Sequence, residues 1–514
     1  MPSTDTRIEL DTFEGMLVRK PDFVCVPVFY QKGTDGGMEW DENLKLLDER
    51  SAGELRSICE EQNFKGAFGK SLYIPRSGVE DARRLLLYGC GHRETIRPYR
   101  VYRALSAALK TGIKSKTIRT LGVQSPTGMP GCSDFSAVLN ATAAVYDFTY
   151  RSLEAREPGP RIASTLIATG QPEAFSLEDI RRINSMAGAP GLARDLVNTP
   201  ANIKRTDHLV AAARRIAQEQ TGVQLSVVED TGWIEQNMPC FFQVARGSLQ
   251  ADPPKWIHLK YAPSGEVRRR IILVGKSVIF DTGGYQVKPD QFMNTMKADM
   301  TGGATVLAVM QSLAELRIPH LEVHAMLAAT PNMIDSNAMT PDAIVNTTCG
   351  KKVEIRHTDA EGRLTLIDAV AMAMKENPDL TFTVATLTGA ATRAVGDRIA
   401  LMSPPGFETL RNEFGTAAEE AGDPVQTLDV LEDDYEAIKS KLDAADICNS
   451  TRGRSRGAQS AAAFVFNGAQ DGNPILHLDI AGGDMSDDEK ATGIAVRAIL
   501  LYLLNIAAKH DAPV

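Results

Sequence analysis

The sequence predicts an α/β protein of two domains: a smaller N-terminal α/β domain and a larger domain in which helices cover a central mixed sheet. Its 514 residues exceed the roughly 250 to 300 at which a single core stops growing. Short apolar, strand-like runs alternate with helical stretches along the chain. A polar stretch before Ser176 separates two such regions. We therefore predict domains 1–172 and 173–514, with the boundary near residue 172.

The N-terminal domain is predicted from strand-like runs that are separated by helix-like segments. These runs are DFVCVPVFY, SLYIP, RLLLYGCG, TIRTLGV and RIASTLIAT. Gly89 and Gly91 resemble the start of a dinucleotide-binding fingerprint, but its third glycine would fall on Glu94. A tight turn from strand to helix is therefore the better interpretation.

The larger domain opens with a helix, because Ser176 and Asp179 precede an apolar stripe at helical spacing. Long apolar strands that alternate with helices predict a sheet covered on both faces, with its site at the strand ends. The strand-like runs are QLSVVE, KWIHLKYA, RRRIILVG, HLEVHAMLAA, KKVEIRH, LTFTVATLT and PILHLDIAG. The clearest helical segments are ATVLAVMQSLAEL and LTLIDAVAMAMKE.

Composition narrows the class of protein. A content of 43% hydrophobic and 24% charged residues is that of an ordinary globular protein. The net charge of -9 makes a nucleic-acid partner unexpected. Seven scattered cysteines without a CxxC pair favour reduced thiols and a cytoplasmic location. The first residues lack a signal-peptide pattern, and the longest apolar stretch, 498–508, falls short of the ~20 residues of a membrane helix. We therefore expect no membrane partner.

Two Gly-Lys-Ser sequences raise the possibility of a phosphate-binding loop. Such a loop needs a glycine five residues before its Gly-Lys-Ser, because the backbone between the two glycines cradles the phosphate. That position is Arg270 for the copy at Gly275 and Phe64 for the copy at Gly69. Neither copy is a phosphate cradle, so Lys276 needs another explanation.

Charged residues cluster near the ends of apolar runs within 88 residues of the larger domain. They are Lys276, Asp281, Lys288, Asp299, Asp359, Glu361 and Arg363. The sequence HTDAEGR follows the strand-like KKVEI. In an extended chain alternate residues share a face, which predicts that the last two acids and the arginine project together.

Two other acids have different settings. Asp281 is followed by Gly283 and Gly284, which let the chain turn and a ligand approach closely. Asp299 precedes a helix, so an N-terminal cap is as good an interpretation as a ligand. Together the acids favour an oxygen-rich site for Mg²⁺, Mn²⁺ or a pair of Zn²⁺ ions. If Lys276 points into that site, the ions would lower its pKa and leave a neutral amine that can bind metal.

Three segments carry a family resemblance. VGKSVIFDTGGYQVKP, MKADM and TDAEGRLTLIDAV resemble the signatures of the leucyl aminopeptidase family, which are cytosolic dinuclear metallo-exopeptidases. Weaker agreement extends over most of the second half, and the first third agrees only in outline. The resemblance implies a hydrolase that releases single, Leu-like N-terminal residues from peptides through a metal-activated hydroxide. It also implies a cytoplasmic homohexamer with an N-terminal domain for assembly or regulation and a catalytic domain at 173–514.

The resemblance also implies a role for each charged residue. The ligands of the more exchangeable ion would be Lys276, Asp281, Asp299 and Glu361. The ligands of the tighter ion would be Asp281, Asp359 and Glu361. Lys288 would stabilise the developing oxyanion, and Arg363 would hold a bicarbonate that shuttles protons. The implied ions are Zn²⁺ or Mn²⁺, with Mg²⁺ or Co²⁺ as alternatives at the exchangeable position.

Other positions bear on specificity and on departures from the family pattern. The resemblance places the pocket for the leaving side chain near Met296, Thr386, Gly389 and Ala481. Asp484 would lie in or beside that pocket, which predicts tolerance of basic or polar first residues. His357 stands where the family mostly has Asn, and we expect it to support a ligand rather than to be one. A catalytically silent scaffold that keeps the fold is the alternative function.

Overall fold

The computed structural model describes residues 7–31, 37–113, 118–126, 129, 132–151, 162–453, 455–470 and 472–511. Residues 1–6, 117 and 161, which belong to segments interpreted above, lie outside these ranges. The described residues form two compact units, one reaching Gly188 and including 419–422, the other formed by 189–418 and the chain from Asp423 onward. This division falls later in the chain than the predicted boundary at residue 172.

The first unit contains a six-stranded sheet in the order β1-β6-β5-β2-β4-β3, parallel except for β3. Its strands are β1 Arg7–Asp11, β2 Phe23–Phe29, β3 Ser71–Ile74, β4 Leu85–Gly91, β5 Thr120–Gln124 and β6 Ser164–Ala168. Its helices are α1 Phe13–Val18, α2 Glu42–Arg50, α3 Glu54–Glu61, α4 Pro98–Gly112, α5 Asp134–Thr149 and α6 Leu177–Gly188. Helix α6 belongs to this unit because it packs against α5.

The second unit contains an eight-stranded sheet in the order β15-β14-β17-β13-β9-β10-β8-β7. Its strands are β7 Val223–Val228, β8 Lys255–Tyr261, β9 Arg269–Asp281, β10 Leu321–Asn332, β13 Leu380–Ala385, β14 Ile399–Met402, β15 Val425–Thr427 and β17 Ile475–Asp479. The central pairs are parallel, whereas β7, β8 and β14 pair antiparallel with neighbours, so the sheet is mixed.

The second unit also contains a small three-stranded sheet, whose strands are not hydrogen-bonded to those of the main sheet. It consists of β11 Ile344–Asn346, β12 Lys352–Glu354 and β16 Ile447–Cys448. The predicted strand KKVEIRH is β12, and it ends at Glu354. The prediction that this segment is one of the long strands of the main sheet is therefore wrong. Only three of its residues pair, and their partners lie in this small sheet.

The second unit also contains the remaining helices of the described chain. They are α7 Pro190–Asn198, α8 Thr206–Glu219, α9 Thr231–Asn237, α10 Pro239–Ala245, α11 Asp290–Met293, α12 Thr301–Leu316, α13 Gly362–Met374, α14 Gly389–Val395, α15 Glu408–Glu420, α16 Glu432–Ala437, α17 Gly457–Phe466 and α18 Val496–Asp511. Helix α12 packs on β9, and α7, α8 and α18 pack against α12. Helix α13 also packs on β9, and α10 and α17 pack against α13.

Two glycines allow both helices to approach β9 closely. A Cβ on Gly275 would lie 2.6 Å from the carbonyl oxygen of Gly302 in α12. A Cβ on Gly362, the first residue of α13, would lie 2.5 Å from Cε of Lys276. Because successive strand residues face opposite sides, α12 and α13 cover opposite faces of the sheet. Helix α12 thus starts next to Gly275 and α13 next to Lys276, two successive residues of β9.

The remaining composition-based expectations concern membranes and cysteines. The apolar stretch 498–508 lies inside α18. Within the described ranges no helix combines the length and the apolar character that crossing a membrane requires. All seven cysteines are free, and only Cys349 is exposed.

Candidate metal centre

The candidate site lies where several parallel strands of the main sheet end. Strand β9 is parallel to β10 and β13, and β13 is parallel to β17. Their carboxyl ends therefore meet at one edge of the sheet, which is where open α/β sheets hold their sites. Asp281 is the last residue of β9, and Thr386 directly follows β13.

Lys276 lies at the centre of this edge, on β9 itself. Its Nζ donates a 2.6 Å hydrogen bond to Oδ1 of Asp299 and lies 2.9 Å from Oε1 of Glu361. It also donates a 3.0 Å hydrogen bond to the carbonyl oxygen of Thr386. The side chain is only 3% exposed. Lys276 thus joins acids that precede two different helices, α12 and α13.

Lys288 meets the second pair of acids through a tight turn after β9. Gly283 and Gly284 have φ angles of 87° and 66°, in the left-handed region that favours glycine. The turn brings Lys288 Nζ to 2.8 Å from Oδ2 of Asp281 and into contact with Oδ1 of Asp359. The turn that the sequence predicts at these glycines therefore brings Lys288 back to Asp281, a contact that the sequence did not predict.

We refer to Lys276, Asp281, Lys288, Asp299, Asp359 and Glu361 as the acid–lysine cluster. One carboxylate oxygen from each of Asp281, Asp299 and Glu361 lies within 4.8 Å of the others. Oδ2 of Asp299 is buried and has no hydrogen-bond partner. Four carboxylates against two ammonium groups leave a formal charge of -2. An unpartnered buried oxygen and an excess of negative charge fit bound cations.

The pKa values of the cluster show the strength of this repulsion. Burial, and then the neighbouring carboxylates, raise the pKa of Asp281 and Asp299, and raise that of Asp359 to about 7. Glu361 is the exception: burial opposes ionisation, but Lys276 and Lys288 lower its pKa to about 2. Burial lowers the pKa of Lys276, and the acids around it outweigh that effect and raise it. A neutral Lys276 amine therefore requires bound cations that offset the acids.

One expectation about local geometry is wrong, and one alternative that the sequence left open is excluded. The segment from Asp359 to Arg363 is not extended: it turns, and α13 begins at Gly362. The acids converge because the turn folds them together, and not because alternate strand residues share a face. Asp299 does not cap α12, since the N-cap is Met300 and no side chain accepts there. The sequence could not separate a cap from a ligand, because both place an acid before a helix.

Arg363 lies in the first turn of α13, two residues after Glu361. Its Nε is buried and has no hydrogen-bond partner. Burial lowers its pKa to about 10, against the charges of Glu361 and Asp479, which act to raise it. A buried guanidinium with an unpartnered N–H is a natural contact for an anion.

His357 contacts the backbone beside the cluster. Its Nδ1 accepts a 3.2 Å hydrogen bond from the N–H of Asp359. Sequence analysis missed two asparagines that act in a similar way. Asn332 Nδ2 donates a 2.8 Å hydrogen bond to Oδ1 of Asp281, and Asn449 Nδ2 donates to the carbonyl oxygens of His357 and Ala360. Both lie far from the acids in sequence, so no local pattern could identify them.

The residues predicted for a specificity pocket fall into two groups. The carbonyl oxygen of Met296 accepts a hydrogen bond from the N–H of Asp299. Thr386 Oγ1 donates a 2.9 Å hydrogen bond to Oδ1 of Asp299. Thr386 thus supports an acid of the cluster, a contact that sequence analysis did not predict. Gly389 is exposed at the start of α14, and Ala481 follows β17 with its N–H 3.2 Å from Oδ1 of Asp479.

Asp484 is half-buried in the segment after β17. Burial is the main reason that its pKa rises to about 7. The charge of Asp479 acts in the same direction, and that of Lys276 acts against it. Asp484 is therefore close enough to the acid–lysine cluster to interact with it electrostatically.

Comparison with known protein families identifies the family of this chain. Residues 191–500 match the model of the cytosol aminopeptidase family, catalytic domain, and residues 25–150 match the N-terminal domain of the same family. The chain belongs to the cytosol aminopeptidase family. It is a hydrolase, a metal-dependent aminopeptidase whose family uses divalent ions, and the predicted family resemblance is confirmed.

Relatives of this aminopeptidase match along nearly their full length. Proteins named "Probable cytosol aminopeptidase" are 32% identical in Aquifex aeolicus, over 90% of this chain and 93% of the relative, and 35% identical in Synechococcus sp., over 90% and 94%. A mutant of tomato leucine aminopeptidase aligns with a TM-score of 0.83 at 27% identity, over 97% of this chain and 96% of that chain. The bottromycin maturation enzyme BotP in complex with Mn aligns with a TM-score of 0.78 at 28% identity, over 95% and 100%. The predicted fold class is confirmed, and a silent scaffold is not favoured.

Proposed function

We propose that this aminopeptidase releases single N-terminal residues, with a preference for Leu-like side chains, at a dinuclear metal centre formed by the acid–lysine cluster. The ligands of an exchangeable ion would be Lys276, Asp281, Asp299 and Glu361. The ligands of a tighter ion would be Asp281, Asp359 and Glu361. The observation that carries this proposal is the convergence of Asp281, Asp299 and Glu361 oxygens within 4.8 Å, with Lys276 Nζ against two of the acids.

Two ions, rather than one, are supported by how the acids divide. Lys276 contacts Asp299 and Glu361, whereas Lys288 contacts Asp281 and Asp359. Each ammonium group thus occupies a separate pocket of negative charge. Two dications added to the cluster would change its formal charge from -2 to +2, and loss of the Lys276 proton would reduce that to +1. A mainly carboxylate donor set fits Zn²⁺, Mn²⁺, Mg²⁺ or Co²⁺, and BotP supports Mn²⁺ as one of them.

The chemistry that the ions supply when bound is the activation of a water and the polarisation of the first peptide carbonyl. Lys288 is the residue of this chain best placed to stabilise the oxyanion that develops. Its side chain is 14% exposed, against 3% for Lys276, so of the two ammonium groups it is the one that a substrate can reach. Its position beside Asp281 and Asp359 keeps it charged, because both acids raise its pKa against the effect of burial.

Arg363 would hold a bicarbonate ion that accepts and returns a proton during the reaction. The support is its buried, unpartnered Nε and its position two residues after Glu361. The side-chain pocket would be lined near Met296, Thr386, Gly389 and Ala481, with Asp484 at its rim. We also propose a cytoplasmic homohexamer, with residues 1–172 for assembly or regulation and 173–514 for catalysis.

The proposed function is tested with leucine amide and purified full-length protein, with Mn²⁺ or Zn²⁺ and after chelation. We expect release of leucine that disappears with the chelator and returns with metal. N-acetyl-leucine amide is the control, because an aminopeptidase needs the free amine that acetylation removes. No turnover with any metal would instead support the silent scaffold. Equal rates on both substrates would exclude an exopeptidase.

A further inference from the structure

A second group of metal-binding side chains lies on the main sheet, and its residues are not those of the acid–lysine cluster. His258 on β8, His324 on β10 and Glu376 after α13 each offer one atom, and these atoms lie within 4.8 Å of one another. The strands pair antiparallel, with His258 opposite Met326 and His324 opposite Lys260. The two histidines are therefore diagonal neighbours on one face of the sheet. Their rings stack with centroids 5.0 Å apart.

The outer contacts of His324 fix which nitrogen is available. Its Nε2 lies 3.1 Å from Oε1 of Glu322, and its Nδ1 lies 2.8 Å from Nε2 of His258. Glu322 is held by Lys260 and Arg270 and its pKa falls to about 2, so it stays ionised and accepts the Nε2–H. The lone pair of His324 Nδ1 then faces His258, and Glu376 is the third member of the group. A carboxylate that orients a ligating histidine in this way is the usual outer contact of protein metal sites.

From this geometry we infer a third site for a divalent ion, formed by His258 Nε2, His324 Nδ1 and the Glu376 carboxylate. Two imidazoles and one carboxylate form a donor set that suits Zn²⁺ and related transition ions, and leaves a fourth position for water. This site is independent of the proposed dinuclear centre, whose donors are carboxylates and an amine.

Only a small movement separates the present contacts from this coordination. Two nitrogens bound to a tetrahedral zinc at about 2.0 to 2.1 Å lie roughly 3.3 Å apart, against the observed 2.8 Å. The rings must give up their mutual hydrogen bond and His258 must present its unprotonated Nε2. The backbone of Glu376, the carboxylate donor, is already held in place, because its carbonyl oxygen accepts a 2.7 Å hydrogen bond from Arg270 Nη1.

The consequence of an ion here is structural. It would join β8 and β10 to the chain segment that follows α13, the helix that begins after Glu361. An ion that binds the folded state and not the unfolded state raises stability in proportion to the logarithm of its concentration. Zinc bound at this site should therefore raise the midpoint of thermal unfolding without being needed for turnover.

The test counts zinc bound per chain after equilibrium dialysis of the full-length protein. We expect His258→Asn to bind one zinc fewer than the wild type and to show a smaller zinc-dependent rise of the unfolding midpoint, because zinc still binds at the proposed dinuclear centre. Mn²⁺-dependent turnover of this variant should stay unchanged, which separates this inference from the proposed function. His320→Asn is the matched control: His320 lies outside the three donors and has a φ of 61° that Asn tolerates.

A second variant covers the case in which His258→Asn does not fold. Glu376→Gln changes a residue outside the strands, and we expect zinc affinity at this site to fall by at least ~10-fold. Equal zinc counts and affinities in the wild type, His258→Asn and Glu376→Gln would overturn the inference. So would a deficit that His320→Asn shares, because it would not be specific to the three donors.

Discussion

Two sets of buried carboxylates in the second unit differ in how their oxygens are used. Asp368 accepts hydrogen bonds from the N–H groups of Cys240, Phe241 and Thr348, at 2.7, 3.1 and 2.8 Å. Asp281, Asp299, Asp359 and Glu361 instead face one another and two lysines. Both settings raise the pKa of an aspartate by burial. Only the second leaves a buried oxygen, Oδ2 of Asp299, without a hydrogen-bond partner.

The difference separates a carboxylate that holds the fold from one that is free to bind a ligand. Asp368 is saturated by backbone donors from the start of α10 and from the segment after β11, so it fixes these segments to α13. In the acid–lysine cluster, four carboxylates lie close together. Their mutual repulsion costs free energy, which bound cations would offset. Burial alone does not reveal function, whereas the partners of each oxygen do.

Glu361→Gln should break the cluster most completely. Loss of one negative charge and one ligand oxygen should eliminate measurable turnover, since even outer contacts of metal ligands cost about 10 to 100-fold. The fold should persist, because Gln keeps the shape of Glu. Leucine amide turnover and thermal unfolding are measured together, with the exposed Asp443→Asn as control. A Glu361→Gln enzyme with wild-type rates would show that this residue is no ligand.

Lys288→Gln tests whether the reachable ammonium group serves catalysis. We expect kcat at saturating metal to fall by roughly 10²- to 10³-fold, as for loss of an oxyanion donor, with a smaller change in KM. Metal content must be measured as well, because Lys288 also contacts Asp281 and Asp359. The exposed Lys441→Gln is the control. If the loss of kcat vanished once the metal content was restored, Lys288 would act only on the ions.

Asp368→Ala should show the opposite behaviour to Glu361→Gln. It leaves two buried N–H groups and one half-buried N–H group without an acceptor, and each costs about 1 to 3 kcal/mol. We expect the free energy of unfolding to fall by about 3 kcal/mol or more, while kcat per folded molecule stays near that of the wild type. Denaturant unfolding and active-site titration measure the two quantities. A large loss of kcat in fully folded protein would contradict the structural role of Asp368.

The sequence predicts this molecule well where the signal is local. The alternation of strands and helices, and the motifs that carry Lys276, Asp281 and Asp299, place the cluster at the end of β9 and before α12. The sequence pattern predicts strand at the turn after His357, because a strand-like pattern continues past Glu354, where strand pairing stops. Strand pairing depends on which other segment of the chain lies next to the strand, and the spacing of residues along the sequence does not contain that information.

Contacts between distant segments account for the rest. Asn332 and Thr386 each hold an acid of the cluster, yet each lies more than fifty residues away from it in sequence. His258 and His324 are likewise far apart in sequence, and only the antiparallel pairing of β8 with β10 makes them neighbours. Residues that support a site are brought to it by the tertiary fold, so the sequence shows the motifs of the proposed ligands but not these partners.

Asp484 offers the smallest and most specific test, because its charge should change selectivity rather than rate. Its folded-state pKa of about 7 means that the carboxyl is mostly protonated at pH 6 and mostly ionised at pH 8. If it faces the pocket, the kcat/KM of arginine amide relative to leucine amide should rise through this range. A partly exposed ion pair contributes up to about 1 kcal/mol, or roughly fivefold. Titrations shared by both substrates cancel in the ratio.

Asp484→Ala should remove that rise and leave the leucine amide rate nearly unchanged, since no step of the proposed chemistry uses this carboxylate. The exposed Asp488→Ala, four residues further along the same segment, should keep the rise and so separates local charge from general surface charge. If both variants matched the wild type at every pH, Asp484 would lie outside the reach of the first side chain. Its raised pKa would then reflect burial alone, and it would join Asp368 among the carboxylates that serve the fold.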